Sequence, residues 1–145
     1  MDIIWGPELS WMNKPANKNS VIRNTMIGSE CVGYVPTRWG HYVDHLRLPD
    51  KVIKTLTILH GNKISNQHHL MRNEVWHILS GTGQAVLQDG DSVIFITLEP
   101  GVKFTVREKV WHQVKADDDS TLVALEIQEG ESCVEDDIIR KDDVL

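Results

Sequence analysis

Gln67, His69, Glu74 and, far downstream, His112 are the residues of this chain best suited to chemistry. Together they offer two imidazole nitrogens, one carboxylate and one amide oxygen, a donor set for a single divalent cation. Spacing sharpens the reading. Gln67 and His69 are two apart, so on a strand both project from the same face. Glu74 follows a turn expected at Met71-Arg72-Asn73 and heads the apolar run Glu74-Val75-Trp76-His77-Ile78-Leu79. Zinc is the expected ion, with Mn, Co, Ni or Fe fitting the same donors. His77 is out of phase with Glu74 and Trp76, and His68 with Gln67 and His69, so both should face away from the metal. His41, His45 and His60 read as surface or hydrogen-bonded core residues.

The elements that must position these side chains are short strands. Lys51 to His60, Glu74 to Leu79, Gln84 to Gln88, Ser92 to Thr97, Lys103 to Val106, His112 to Lys115 and Thr121 to Gln128 are β-branched runs. Turn signals separate them: Gly81-Thr82-Gly83, Asp89-Gly90-Asp91, Glu99-Pro100-Gly101 and Asp117-Asp118-Asp119-Ser120. Asp89-Gly90 is the clearest hairpin. Evenly spaced strands without a helical period predict an all-β chain, a sandwich or barrel. A jelly roll is the member of that class that holds a ligand between its sheets.

With 145 residues there is room for one domain and one sizeable core. The formal charge of −6 leaves no basic stripe for nucleic acid. Cys31 and Cys133 lie far apart with no CxxC spacing, so a disulfide framework is not expected. No apolar run approaches the roughly 20 residues of a membrane span. The first residues lack a basic secretion-signal region, which predicts a reduced, cytoplasmic protein without membrane partners. Residues 1–36 differ from the rest: Trp5, Leu9, Trp11 and Met12 are apolar anchors before a polar loop. They are read as an N-terminal arm or strand, packed on the barrel (residues 37–145) or reaching onto a second subunit in a homodimer. The short tail from Glu135 to Leu145 is expected to dock as a helical turn.

At this point the residues resemble a known family. Gly61, Gln67, His69 and Glu74, closed by Gly81, follow the first cupin motif with Gln in place of its first His. Thr37-Arg38-Trp39-Gly40, Ile64 to His69, Arg72 to Trp76, Leu79 to Gly83 and Glu135 to Arg140 are similar, in order, to strings of the type II mannose-6-phosphate isomerase cupin. Those strings are RPWG, SLQxH, RxExW, VSGTA and EDDIVR. The resemblance implies a single cupin jelly-roll barrel acting as a metal-dependent aldose–ketose isomerase on mannose 6-phosphate and fructose 6-phosphate. In larger relatives this cupin follows a nucleotidyltransferase domain, which nothing here resembles. The chain departs from the family at Leu70 and Met71, where further His are usual, and at Arg107-Glu108-Lys109, where a Pro-x-Gly turn is usual.

Such a reaction needs a base to move a proton between C1 and C2, and a cation to hold the enediolate oxygens. Lys54 shares a strand face with Leu56 and Ile58 and aligns with a family Lys. If that face is inward, Lys54 holds the sugar phosphate or, with a lowered pKa, shuttles protons; otherwise it snorkels to solvent. Glu126, in an apolar strand, is the other candidate base or a partner behind the ligands. Arg140 is the candidate phosphate clamp, whereas Arg38, beside Trp39 and Gly40, reads as structural. A non-catalytic sugar-binding or regulatory metal cupin, and an iron-dependent cupin dioxygenase, are the competing readings.

Overall fold

The computed structural model describes residues 22–25 and 31–145; Trp5, Leu9, Trp11 and Met12 lie outside the described residues. The strands are β1 (Ile22–Thr25), β2 (Cys31–Pro36), β3 (Gly40–Leu48), β4 (Lys51–Ile58), β5 (Asn66–His68) and β6 (Arg72–Ser80). They continue as β7 (Gly83–Asp89), β8 (Ser92–Leu98), β9 (Lys103–Val106), β10 (Trp111–Ala116), β11 (Leu122–Gly130) and β12 (Ile139–Lys141). Seven form one sheet in the order β1-β2-β3-β4-β11-β6-β9, and five form the other in the order β12-β5-β10-β7-β8. Every pairing is antiparallel. This is an all-β jelly roll. Among the described residues no helix is long and apolar enough to cross a membrane.

Alternation decides what faces inward. On β4, Val52, Lys54, Leu56 and Ile58 are buried, and on β11, Leu122, Ala124, Glu126 and Gln128 are. Because β11 lies between β4 and β6, these positions fall into rows across the sheet. Ile58 pairs with Leu122, and Leu56 with Ala124, which pairs in turn with Ile78; this end packs with Leu98, Phe104 and Val114 as the apolar core. Lys54 pairs with Glu126, and Glu126 with Trp76; Gln128 pairs with Glu74. One end of the interior is therefore a hydrophobic plug and the other a polar chamber. The connection after β6 requires Gly81: its φ is +82°, and a Cβ there would sit 2.0 Å from the Thr121 carbonyl oxygen.

The tail departs from the expected helical turn. Ile139–Lys141 pair with β5 as a strand, because the open edge of β5 offers ladder hydrogen bonds that a helical turn cannot take. Buried Gln113 fastens the last residues of the chain: its amide nitrogen donates to Ile64 and Asp143, and its oxygen accepts from the Val144 and Leu145 amides.

Candidate metal centre and cavity

Strand β6 opens at Arg72, one position earlier than the expected end of the turn. The carboxylate of Asp137 accepts the Leu70 and Met71 amides at 2.9 Å each, closing the turn there. Arg72, Glu74 and Trp76 consequently share the inward face, with Asn73 and His77 outward. Glu74 is 1% exposed. One oxygen accepts the Trp76 indole N–H at 3.0 Å, and the other accepts Arg72 Nε and Nη2 at 3.1 and 3.0 Å. A period-two strand thus turns Arg-x-Glu-x-Trp into one bonded unit.

His69 and His112 meet this carboxylate. His69 Nδ1 lies 2.6 Å from the Asp137 carbonyl, and His112 Nδ1 lies 3.1 Å from that of Val110. A carbonyl only accepts, so each Nδ1 carries the proton and each Nε2 presents its lone pair. Those Nε2 atoms stand 3.1 and 3.3 Å from the two Glu74 oxygens. Only a further proton or a metal ion on Nε2 makes that approach attractive. His112 Nε2 is buried with no hydrogen-bond partner, and the ligand atoms of His69, Glu74 and His112 lie within 4.8 Å of one another. The residues fit a divalent cation, with backbone carbonyls orienting both imidazoles. Gln67 is the register partner of His112, and its amide nitrogen lies 3.4 Å from His69 Nε2. His77 faces outward, and His68 stacks on Trp111 outside the site.

Two buried groups flank the triad. Burial pushes the Glu126 carboxyl well above its ordinary range, and the nearby Glu74 charge adds to it. Burial also pushes Glu74 up, but the imidazoles of His112 and His69 against its two oxygens, once they carry a proton on Nε2, hold it well below the usual carboxylate range. The pair therefore divides into one carboxyl that takes up a proton readily, Glu126, and one that stays anionic, Glu74. Lys54 is 3% exposed, so it does not snorkel. Its ammonium contacts Glu135 at 3.1 Å and lies 3.9 Å from the Tyr42 ring centre. Burial alone would lower its pKa; the carboxylates of Glu126, Glu135 and Asp44 raise it instead. The surroundings thus act against a lysine desolvated to a lower pKa.

A cavity of about 330 Å³ opens on the chamber, with Tyr42, Lys54, Gln67, Arg72, Trp76 and Glu126 in its wall. Arg140, exposed on β12 opposite Gln67, lines it too, as does Arg38. Gln67 and Arg72 stand between the cavity and the His69–Glu74–His112 triad, which does not line it. Arg72, Asp137 and Glu135 are site residues that reasoning on the sequence missed. For Arg72 the signal existed, two residues before Glu74 and in phase with it; placing a turn at Met71-Arg72-Asn73 hid it.

Residues 28–143 match the family model described as mannose-6-phosphate isomerase C-terminal. The chain belongs to this family. It is 31% identical over 106 residues to the xanthan biosynthesis protein XanB of Xanthomonas campestris pv. campestris (strain B100), covering 72% of this chain and 22% of that protein. It is 30% identical over 102 residues to a mannose-1-phosphate guanylyltransferase of Salmonella muenchen, covering 70% and 21%. The chain thus spans about a fifth of the length of the curated relatives it matches. Among solved structures, the capsular polysaccharide assembling protein CapF of Staphylococcus aureus superposes with a TM-score of 0.68 at 14% identity, over 77% of this chain and 34% of that one. A cupin protein of Bacteroides fragilis gives 0.51 at 25% identity, over 62% and 74%. The cupin jelly roll is the fold of this family member, and its His69–Glu74–His112 group could hold a metal ion.

Proposed function

We propose that this chain is a metal-dependent sugar-phosphate isomerase that interconverts mannose 6-phosphate and fructose 6-phosphate. The observation that carries the reading is the chamber itself: a His69–Glu74–His112 metal group directly behind a cavity whose wall holds Glu126, Lys54 and Gln67. Family membership supports the choice of sugar. When bound, a divalent ion supplies charge stabilisation for oxygens at C1 and C2. Gln67 would be a neutral donor to it on the cavity side once its amide turns its oxygen from Ser65 toward His69. Glu126, as the carboxylate, takes the proton from one of C1 and C2 and gives it to the other: a pKa raised by burial makes it a stronger base toward a C–H proton than a surface carboxylate. Lys54 stays charged and faces the same space, positioned to hold a sugar hydroxyl or carbonyl oxygen.

Arg72 favours a second reading. Its guanidinium closes over Glu74 and approaches His69 Nε2 at 3.3 Å, which suits a cupin that binds sugars without turning them over. A coupled assay with mannose 6-phosphate separates the two. Turnover is expected in the metal-loaded protein, lost on chelation and restored by zinc, manganese or cobalt. Metal-loaded protein that binds fructose 6-phosphate without turnover under any of these ions leaves the binding reading.

A further inference from the structure

The cavity holds more cationic groups than its own carboxylates answer. Lys54 is matched by Glu135, and Arg72 by Glu74. Glu135 also takes Arg47 at 2.8 Å, and Arg47 holds Asp44 at 2.9 Å, so that cluster balances. Arg38 and Arg140 remain: both are exposed, both line the cavity, and neither has an ion pair or side-chain hydrogen bond among the described residues. Asp143 feels the Arg38 charge without an ion pair to it and is already engaged by Lys63 at 3.2 Å and by Gln113.

Their backbones are fixed on separate elements. Arg38 sits at the tip of the turn joining β2 to β3, which the Thr37 amide closes by donating to the Gly40 carbonyl at 2.9 Å. The Leu59 amide donates to the Trp39 carbonyl at 2.9 Å, and the Trp39 ring packs on the core. Arg140 is held on β12 by its pairing with Gln67. We propose that Arg38 and Arg140 form a two-sided phosphate clamp at the cavity mouth, and that Arg38 selects phosphorylated over free sugars. Two guanidinium charges without an ion pair among the described residues match one dianionic phosphate, and each offers a planar fork for its oxygens. Arg38 is then more than the structural residue that its Trp39–Gly40 neighbours suggested. The sugar part of the ligand rests on the isomerase reading; the anion site does not.

Calorimetric titration with inorganic phosphate, fructose 6-phosphate and fructose tests the clamp on the full chain. Arg38→Ala and Arg140→Ala should each weaken both phosphate ligands by about tenfold or more. Fructose binding should not change, and Arg38→Lys should recover part of the loss. Lys103→Ala, exposed on β9, should bind as the wild type does. Wild-type affinity for fructose 6-phosphate in Arg38→Ala, or no gain of fructose 6-phosphate over fructose in the unaltered protein, overturns the clamp. The isomerase assay keeps the two readings apart. Turnover with an unchanged KM in Arg38→Ala removes the clamp and leaves the isomerase; phosphate binding lost in Arg38→Ala, with no wild-type turnover, does the reverse.

Discussion

Replacing Glu74 by Gln keeps the shape of the side chain and removes its charge. Oε1 still accepts the Trp76 indole, but the amide now faces Arg72, whose buried guanidinium loses its anion. Breaking a buried pair by removing one partner destabilises by about 3–5 kcal/mol. For a chain of this size each kcal/mol moves Tm by about 2–4 °C, so Glu74→Gln should melt about 6–20 °C lower in chelator. The same substitution removes the only carboxylate of the His69–Glu74–His112 group. Wild-type protein in metal at a hundredfold excess over Kd should gain about 2.7 kcal/mol, or roughly 5–11 °C, and the variant should gain almost none.

Differential scanning fluorimetry with and without zinc reads both effects. Adding Arg72→Met to Glu74→Gln removes the stranded charge and should restore much of the stability without restoring the metal response. That separates the ion-pair role of Glu74 from its ligand role. A Tm loss under about 2 °C in the single variant contradicts the buried pair. A wild-type metal shift in the single variant moves the metal away from this triad.

Two further substitutions probe how the site is held. Asp137→Asn weakens the clasp on the Leu70 and Met71 amides that fixes the His69 loop, so zinc affinity by chelator competition should fall about tenfold to a hundredfold; unchanged affinity denies Asp137 its positioning role. Lys109, with φ of +67°, is a non-glycine residue in left-handed backbone just ahead of β10. Lys109→Gly should therefore raise stability, by up to about 1 kcal/mol in thermal unfolding, and a lower Tm contradicts the strain.

Local alternation made much of the barrel readable. The hairpin expected at Asp89–Gly90 forms with Gly90 and Asp91 as its two loop residues, Asp89 pairing with Ser92 and Gly90 taking a φ of +60°, and the inward phase of Lys54 and Glu126 follows from their apolar neighbours. β3 is not legible as a strand because its alternation breaks. A register shift between Asp44 and Leu46 leaves His45 out of the ladder, and Asp44 and Arg47 bring charge into it. β5 is only three residues long, too short to show a period. The candidate metal residues stand out in the sequence by residue type and by the two-residue phase of Gln67 with His69; the groups that orient them do not.

Those orienting groups come from the far end of the chain. Glu135 answers the Lys54 charge, Asp137 clasps the His69 loop with its carboxylate and accepts His69 Nδ1 with its carbonyl, and Arg140 reaches the cavity beside Gln67. All three lie within the string from Glu135 to Arg140, some seventy residues or more from their partners. Sequence spacing carries no record of such contacts, because nothing in an acidic tail says which loop it will cross. The open edge of β5 supplies the missing instruction: once β12 pairs there, register alone sets Arg140 opposite Gln67 and brings Asp137 to the turn before β6. The tail is thus part of the site and not an appendage, and the edge strand that needed covering is the one that carries Gln67 and leads into His69.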